Sequence, residues 1–192
     1  ARGAVSMLDF VERPGGETAG LLTGWIRGQA GRPFFAFLHT YEPHAPYEAP
    51  EPFRSRHPDP YDAEVAASDA VVGAFLDELK RAGVYDGTLV VFLSDHGEGL
   101  GDHGEQQHGI FLYREAIQVP LLLKLLGQAL AGASVGAPVQ LTDVFTTVGE
   151  VLALPGFPGR PGTASLAALA AGAPVPSRRV FAENFSPRIR LG

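Results

Sequence analysis

Cysteine is absent from the 192 residues. Its absence excludes a disulfide framework, a thiolate zinc site and cysteine catalysis within this chain. Lysine is scarce, with two against thirteen arginines, and the formal charge is −6 with the six histidines neutral. A nucleic-acid binder presents a basic face, so no nucleic-acid partner is expected. Long apolar runs are missing too. The longest, Val119 to Leu126, is interrupted by Lys124. It falls far short of the roughly 20 residues a membrane span requires, so no transmembrane segment is expected in this chain. No apolar signal core follows Ala1-Arg2-Gly3-Ala4, and the chain starts without Met, as a processed or excised piece would.

What is plentiful is glycine and proline, 24 and 16 residues, about twice the average usage of the pair. They are scattered without a period, which excludes collagen and predicts a loop-rich globular domain. The length suits a single domain over 1–192. Leu21, Leu22, Trp25 and Ile26 predict a short helix with one apolar face. Phe34 to Leu38 reads as a strand buried on both faces, and the proline-studded stretch from His39 to Pro60 as a long loop. Residues 60–82 form the best helix, capped by Asp59, opened by Pro60 and closed by Lys80, Arg81 and Gly83. Its expected inner face is Val65, Asp69, Val72, Phe75, Leu76 and Leu79. Leu89 to Leu93 and Val119 to Leu125 read as further buried strands, with a short helix at 111–116 between them. After 129 come an edge strand at 139–141, a helix at 144–152, a Pro/Gly/Ala-rich surface region at 154–176 and a last strand at 180–182. This order predicts an α/β fold with a largely parallel mixed sheet flanked by helices.

Five of the six histidines lie in two loops, each directly after an apolar run: His39 and His44 in one, His96, His103 and His108 in the other. Parallel strands would deliver both loops to one carboxyl edge, where open α/β sheets bind ligands. The sharpest motif is Ser94-Asp95-His96-Gly97-Glu98. An adjacent carboxylate and imidazole at a strand end can turn toward one cation, with Gly97, Gly99 and Gly101 allowing tight bends. A mixed Asp/His set suits Zn²⁺ or Mn²⁺ better than the all-oxygen shell of Ca²⁺. The same residues also fit a glycine-rich turn with an exposed histidine. His44, between Pro43 and Pro46, is either aimed at a substrate or part of a rigid surface loop. His103 and His108 lack the spacing of a zincin helix. Gly132-Ala133-Ser134-Val135-Gly136 spells a nucleophile elbow, but no histidine lies beyond 108 to complete it.

Together, the segments Phe37 to Tyr47, Ser94 to Gly104, His108-Gly109 and Val119 to Leu122 resemble the sulfatase branch of the alkaline phosphatase superfamily. The helix from Tyr61 to Leu79 also fits, as do Leu141 to Val144 and Val180 to Glu183. The resemblance implies an alkaline-phosphatase-like fold, incomplete at its N-terminal side. It implies that Asp95 and His96 are metal ligands. His44 would contact the transferred group and help the leaving group, and His108 would contact the sulfate or phosphate. It gives no role to His39, Glu98 or His103. The implied cofactor is a divalent metal ion, Ca²⁺ or Mn²⁺, with Zn²⁺ or Mg²⁺ as alternatives. The implied partner is a sulfate- or phosphate-ester substrate. The family's acidic ligands and its Cys/Ser-x-Pro-x-Arg nucleophile, the source of formylglycine, have no counterpart here; Ser186-Pro187-Arg188 is only superficially similar. The chain thus looks like the C-terminal part of a sulfatase-like catalytic domain, inactive alone. The alternatives are a phosphodiesterase, phosphatase or phosphoethanolamine-type transferase of the same superfamily, or a non-catalytic binding module that kept the fold.

Overall fold

The computed structural model describes residues 13–29, 31–157 and 159–185. Ser186-Pro187-Arg188 lies outside the described residues, as does most of the lead-in before Gly16. The chain divides into two compact units, one up to Tyr85 and one from Asp86 onward.

In the first unit, helix α1 (Gly15–Arg27) packs on α3 (Pro60–Arg81), and a single turn, α2 (Phe53–Arg56), packs on α3 as well. The N-terminus of α3 forms as the sequence dictates. The Asp59 carboxylate accepts from the amides of Tyr61 and Asp62, with Pro60 in the first turn and Lys80 and Arg81 in the last. The packing faces match the expectation in part: Ile26 and Leu79 are buried and Leu22, Val72, Phe75 and Leu76 half-buried, but the most buried positions include others. α1 buries Gly15, Ala19, Thr23 and Ile26, and α3 buries Ala63, Glu64, Ala67 and Leu79. Leu21, Trp25 and Val65 are exposed. Arg27 and Arg81 both pair with Glu78.

The segment 34–38 is extended but joins no ladder among the described residues. The expectation that it is buried on both faces fails. Phe35 is 83% exposed and Phe37 74% exposed, whereas Phe34 is half-buried with its ring edge-on to Trp25.

In the second unit, β1 (Val90–Leu93) pairs with β2 (Leu121–Lys124). The pairing is antiparallel, Val90 opposite Lys124 and Leu93 opposite Leu121. The sheet expected to be largely parallel is therefore, among the described residues, one antiparallel pair. A parallel return needs a long crossover, usually helical. The connection, residues 94–120, holds only a 3₁₀ turn at Asp102–Gly104 and α4 (Arg114–Ile117), and it returns the chain antiparallel. Lys124 donates to the carbonyls of Thr88 (2.8 Å) and Asp86 (3.2 Å), closing the open end of the pair.

Beyond β2, residues 139–141 and 180–182 are not strands. The expected helix appears as α5 (Asp143–Val151). The Pro/Gly/Ala-rich region 154–176 is not wholly surface, because it contains α6 (Leu166–Ala170), whose Leu166 and Leu169 are buried against α5. The join is polar. Fully buried Asp143 accepts from the amides of Gln140 and Ala164, both at 2.9 Å, and takes both arms of the Arg178 guanidinium. The Thr147 hydroxyl donates to the Asp143 carbonyl at 2.7 Å and accepts from the Leu166 amide at 2.8 Å. Burial opposes ionisation of Asp143, but Arg178 and the two amides outweigh it and hold the carboxyl below its ordinary value.

Candidate active site

His44 lies in the first unit. Its Nδ1 sits 2.7 Å from the Ala45 carbonyl, and its ring packs on Tyr41 with centroids 4.3 Å apart. A carbonyl only accepts, so Nδ1 carries the proton and Nε2 the lone pair. The loop is held in place by Glu64, a residue given no individual role by the sequence reading. This carboxylate, 5% exposed on α3, accepts from the amides of His44 (3.2 Å) and Glu48 (2.8 Å). One step upstream, Glu42 accepts from the first amide of α1, Gly15, at 3.0 Å. A side chain at Gly15 would press on Thr40, 3.0 Å away. His39 stacks loosely on Phe37, centroids 6.1 Å apart.

Asp95, His96 and His108 lie in the second unit, which brings them together. Asp95 and His96 follow β1 directly. Asp95 Oδ1 accepts from the His96 amide at 3.0 Å, and the Ser94 hydroxyl donates to the His96 carbonyl at 2.6 Å. The His96 Nδ1 donates to the Gly97 carbonyl at 2.9 Å, again leaving Nε2 as the donor-pair nitrogen. That Nε2 lies 3.7 Å from Asp95 Oδ2. The His108 ring packs on His96 with centroids 4.0 Å apart, and its Nδ1 is 3.1 Å from Glu98 Oε1.

Three short backbone bonds shape this loop: Gly97 to Ala116 (2.8 Å), Gly99 to Gln107 (2.8 Å) and Gly101 to Glu105 (2.9 Å). The sequence reading assigned its glycines to bending. At two of them the need is close approach instead. A Cβ on Gly97 would lie 1.9 Å from the Glu115 carbonyl oxygen, and one on Gly99 would lie 2.4 Å from that of Glu105. Buried Glu105 caps the turn by accepting from the amides of Ile110 (2.8 Å) and Phe111 (3.3 Å). His103 is drawn off to one side, stacked on Tyr113 at 3.9 Å, with its Nε2 3.7 Å from Glu115 Oε2. A glutamate one turn into a helix after a proline-rich loop is the signal that would have pointed to Glu64. Its contacts span 16 and 20 residues and are invisible to local patterning.

The donor set fits part of a metal shell. Ligands at about 2.0–2.2 Å from one ion lie roughly 3–4 Å from each other, and Asp95 Oδ2 and His96 Nε2 meet that spacing. The His96 Nδ1–H to carbonyl bond is the support that metal-binding imidazoles use. Among the described residues no three His, Cys, Asp or Glu side chains gather as a complete metal shell.

Comparison with known proteins places these residues in context. The family model described as Sulfatase matches residues 17–154, running through both units. The chain is 34% identical to the steryl-sulfatase of Mus musculus over 148 residues, covering 69% of this chain and 24% of that protein. It is 29% identical to the multifunctional alkaline phosphatase superfamily protein PehA of Trinickia caryophylli over 159 residues, covering 54% of this chain and 31% of that protein. Among solved structures, the phosphonate monoester hydrolase of Agrobacterium radiobacter superposes with a TM-score of 0.71 at 21% identity, covering 87% of this chain and 45% of that one. The chain thus spans less than half of each of these three proteins. The structural likeness supports an alkaline-phosphatase-like α/β fold. No helix among the described residues is long and apolar enough to cross a membrane.

Proposed function

The chain belongs to the sulfatase family, and from that premise we propose that it carries one part of a metal-dependent active site that hydrolyses sulfate esters. One observation carries the reading: Asp95 and His96 present two potential metal-ligand atoms 3.7 Å apart at the end of β1, with the His108 ring packed alongside. Asp95 and His96 would hold a divalent cation, Ca²⁺ or Mn²⁺, with Zn²⁺ or Mg²⁺ as alternatives. When bound, the cation supplies positive charge against the anionic group being transferred. His108 contacts that group. His44, held by Glu64, presents Nε2 toward the leaving oxygen. The nucleophile, formylglycine in a sulfatase, and the acidic ligands belong to a segment outside these 192 residues.

Calorimetric titration with Mn²⁺, Zn²⁺ and Ca²⁺ tests the metal half of the reading. Binding is expected to be weak, because two protein ligands are fewer than a stable site uses, and to disappear in Asp95→Asn. Submicromolar affinity lost in that variant would mean that the other ligands lie within this chain. Assayed alone on an aryl sulfate, the chain is expected to show no turnover. Sustained hydrolysis abolished by Asp95→Ala would overturn the division of the site.

A second reading is favoured by His108, which the family resemblance sets against a sulfate or a phosphate alike. It is a phosphodiesterase, phosphatase or phosphoethanolamine-type transferase of the same superfamily, in line with the structural likeness to a phosphonate monoester hydrolase. In a polypeptide that includes the nucleophile segment, preference for an aryl phosphate or phosphonate ester over an aryl sulfate selects this reading. A polypeptide that binds such esters without turning them over is a binding module.

A further inference from the structure

Three histidines of the proposed site are held through the same nitrogen, Nδ1, but not by the same kind of group. His44 and His96 give Nδ1 to neighbouring backbone carbonyls, at 2.7 and 2.9 Å. Those bonds come with the local chain path. His108 gives Nδ1 to a side chain ten residues away, Glu98 Oε1 at 3.1 Å. The Glu98 side chain is 6% exposed and that of His108 25% exposed. A buried carboxylate is costly to keep unless it is hydrogen-bonded, and here it is aimed at an imidazole. The His108 ring also packs on His96, with centroids 4.0 Å apart and planes tilted by 31°.

We propose that Glu98 is the positioning residue of His108, fixing the rotation of its ring and the nitrogen it presents. A carboxylate only accepts, so it admits one neutral tautomer of His108, with the proton on Nδ1 and the lone pair on Nε2. The His96 ring sets the plane, and the Glu98 oxygen sets the rotation within it. Nε2 is then the atom offered to whatever occupies the site. The arrangement is a carboxylate–imidazole pair, in which the acid orients the ring without touching substrate. It rests on the reading of His108 as the histidine that faces the ester.

The backbone explains why Glu98 can do this. Gly97 and Gly99 on either side lie against the carbonyls of Glu115 and Glu105 with no room for side chains. Residue 98 is clamped between two fixed points, and its side chain reaches His108 from a defined origin. The sequence holds the pair ten residues apart with glycines between, so only the folded loop joins them.

The test is the tautomer of His108, read from long-range ¹H–¹⁵N spectra of the full chain labelled at histidine, with no ligand added. In the wild type His108 is expected almost wholly as the Nδ1–H form. Glu98→Gln keeps the shape, but an amide can accept or donate, so both tautomers are expected. Glu98→Ala removes the partner, and the ring is expected to relax to the Nε2–H form that free imidazole side chains favour. His96, held by the Gly97 carbonyl, should keep Nδ1–H throughout and reports that the loop is folded. If Glu98→Ala does not fold, the wild-type and Gln spectra decide alone. A wild-type His108 with its proton on Nε2, or an unchanged Nδ1–H form in every variant, overturns the proposal. The measurement needs no substrate, so it fails or succeeds independently of the ester assays that test what His108 acts on.

Discussion

In the first unit the loop bearing His44 is held from outside. Its prolines restrict the backbone, but the bonds that place it come from Glu64, on a helix that follows the loop in sequence. In the second unit the loop bearing Asp95, His96 and His108 largely holds itself. Glycine amides bond across it at three levels, and Glu105 and Glu98 close it from within. The core behind each loop differs in the same sense. The first unit is built on two packed helices, α1 and α3, and its buried Glu64 is bonded to amides. The second is tied by a buried ion pair, Asp143 with Arg178. Stiff residues alone do not aim a side chain; an acceptor placed by a separate element, or a backbone folded on itself, does.

The contrast breaks hardest at Asp143. Asp143→Ala leaves Arg178 buried without a counter-charge and orphans the amides of Gln140 and Ala164. A loss of about 3–5 kcal/mol is expected. Urea unfolding measures it, and amide exchange should localise it to the second unit, with α1 and α3 little changed. Acid should act the same way. The Asp143 carboxyl is held below its ordinary value, so its contribution is complete above the ordinary carboxylate range and is lost as pH falls through the lowered folded value. Uniform loss of protection in both units at that pH would argue against Asp143 as the cause.

Gly97→Ala comes next. Its Cβ would meet the Glu115 carbonyl oxygen at 1.9 Å, so the backbone must move, at a cost of roughly 1–3 kcal/mol. The His96–His108 ring contact should weaken with it. A variant that melts like the wild type with that contact intact would show that the loop is looser than its bonds imply. The smallest effect is expected at Glu64→Gln, which keeps one acceptor and turns the other into a donor facing an amide. A loss of about 1–2 kcal/mol is expected, with faster exchange at the amides of His44 and Glu48 and no change at Gly97 or Gly99. If the His44 loop stays as protected as before, the prolines suffice and the comparison between the two loops fails.

The helix α3 was legible in the sequence because its ends are local: Asp59, Pro60 and the last-turn cations act within a turn. The histidine motif was legible for the same reason, since Asp95 and His96 are neighbours and their bonds reach one residue. The sense of the β1–β2 pairing was not, because strand composition is the same either way and the decision rests on how the connection folds. The inner faces of α1 and α3 were legible in part: Ile26 and Leu79 are buried as their spacing predicts, but periodicity weights Leu21, Trp25 and Val65, which are exposed, above the buried alanines. The partners of Glu64 and of Glu98, itself part of the histidine motif, were not legible for a third reason. Each glutamate is an acid whose partner is set by tertiary contact, and a lone glutamate in a sequence reads as a solvated one.

The extended run from Phe34 to Leu38 has a consequence for handling the chain in solution. Exposed Phe35 and Phe37 alternate with half-buried neighbours along a backbone in no described ladder. That is the form of an apolar edge strand, and such edges template pairing with a second copy. The net charge of −6 repels copies only over a Debye length, about 8 Å at physiological ionic strength. Salt therefore removes the opposition and leaves the attraction. Self-association of the isolated chain should rise with both concentration and ionic strength, and a charged residue at position 35 or 37 should be enough to suppress it.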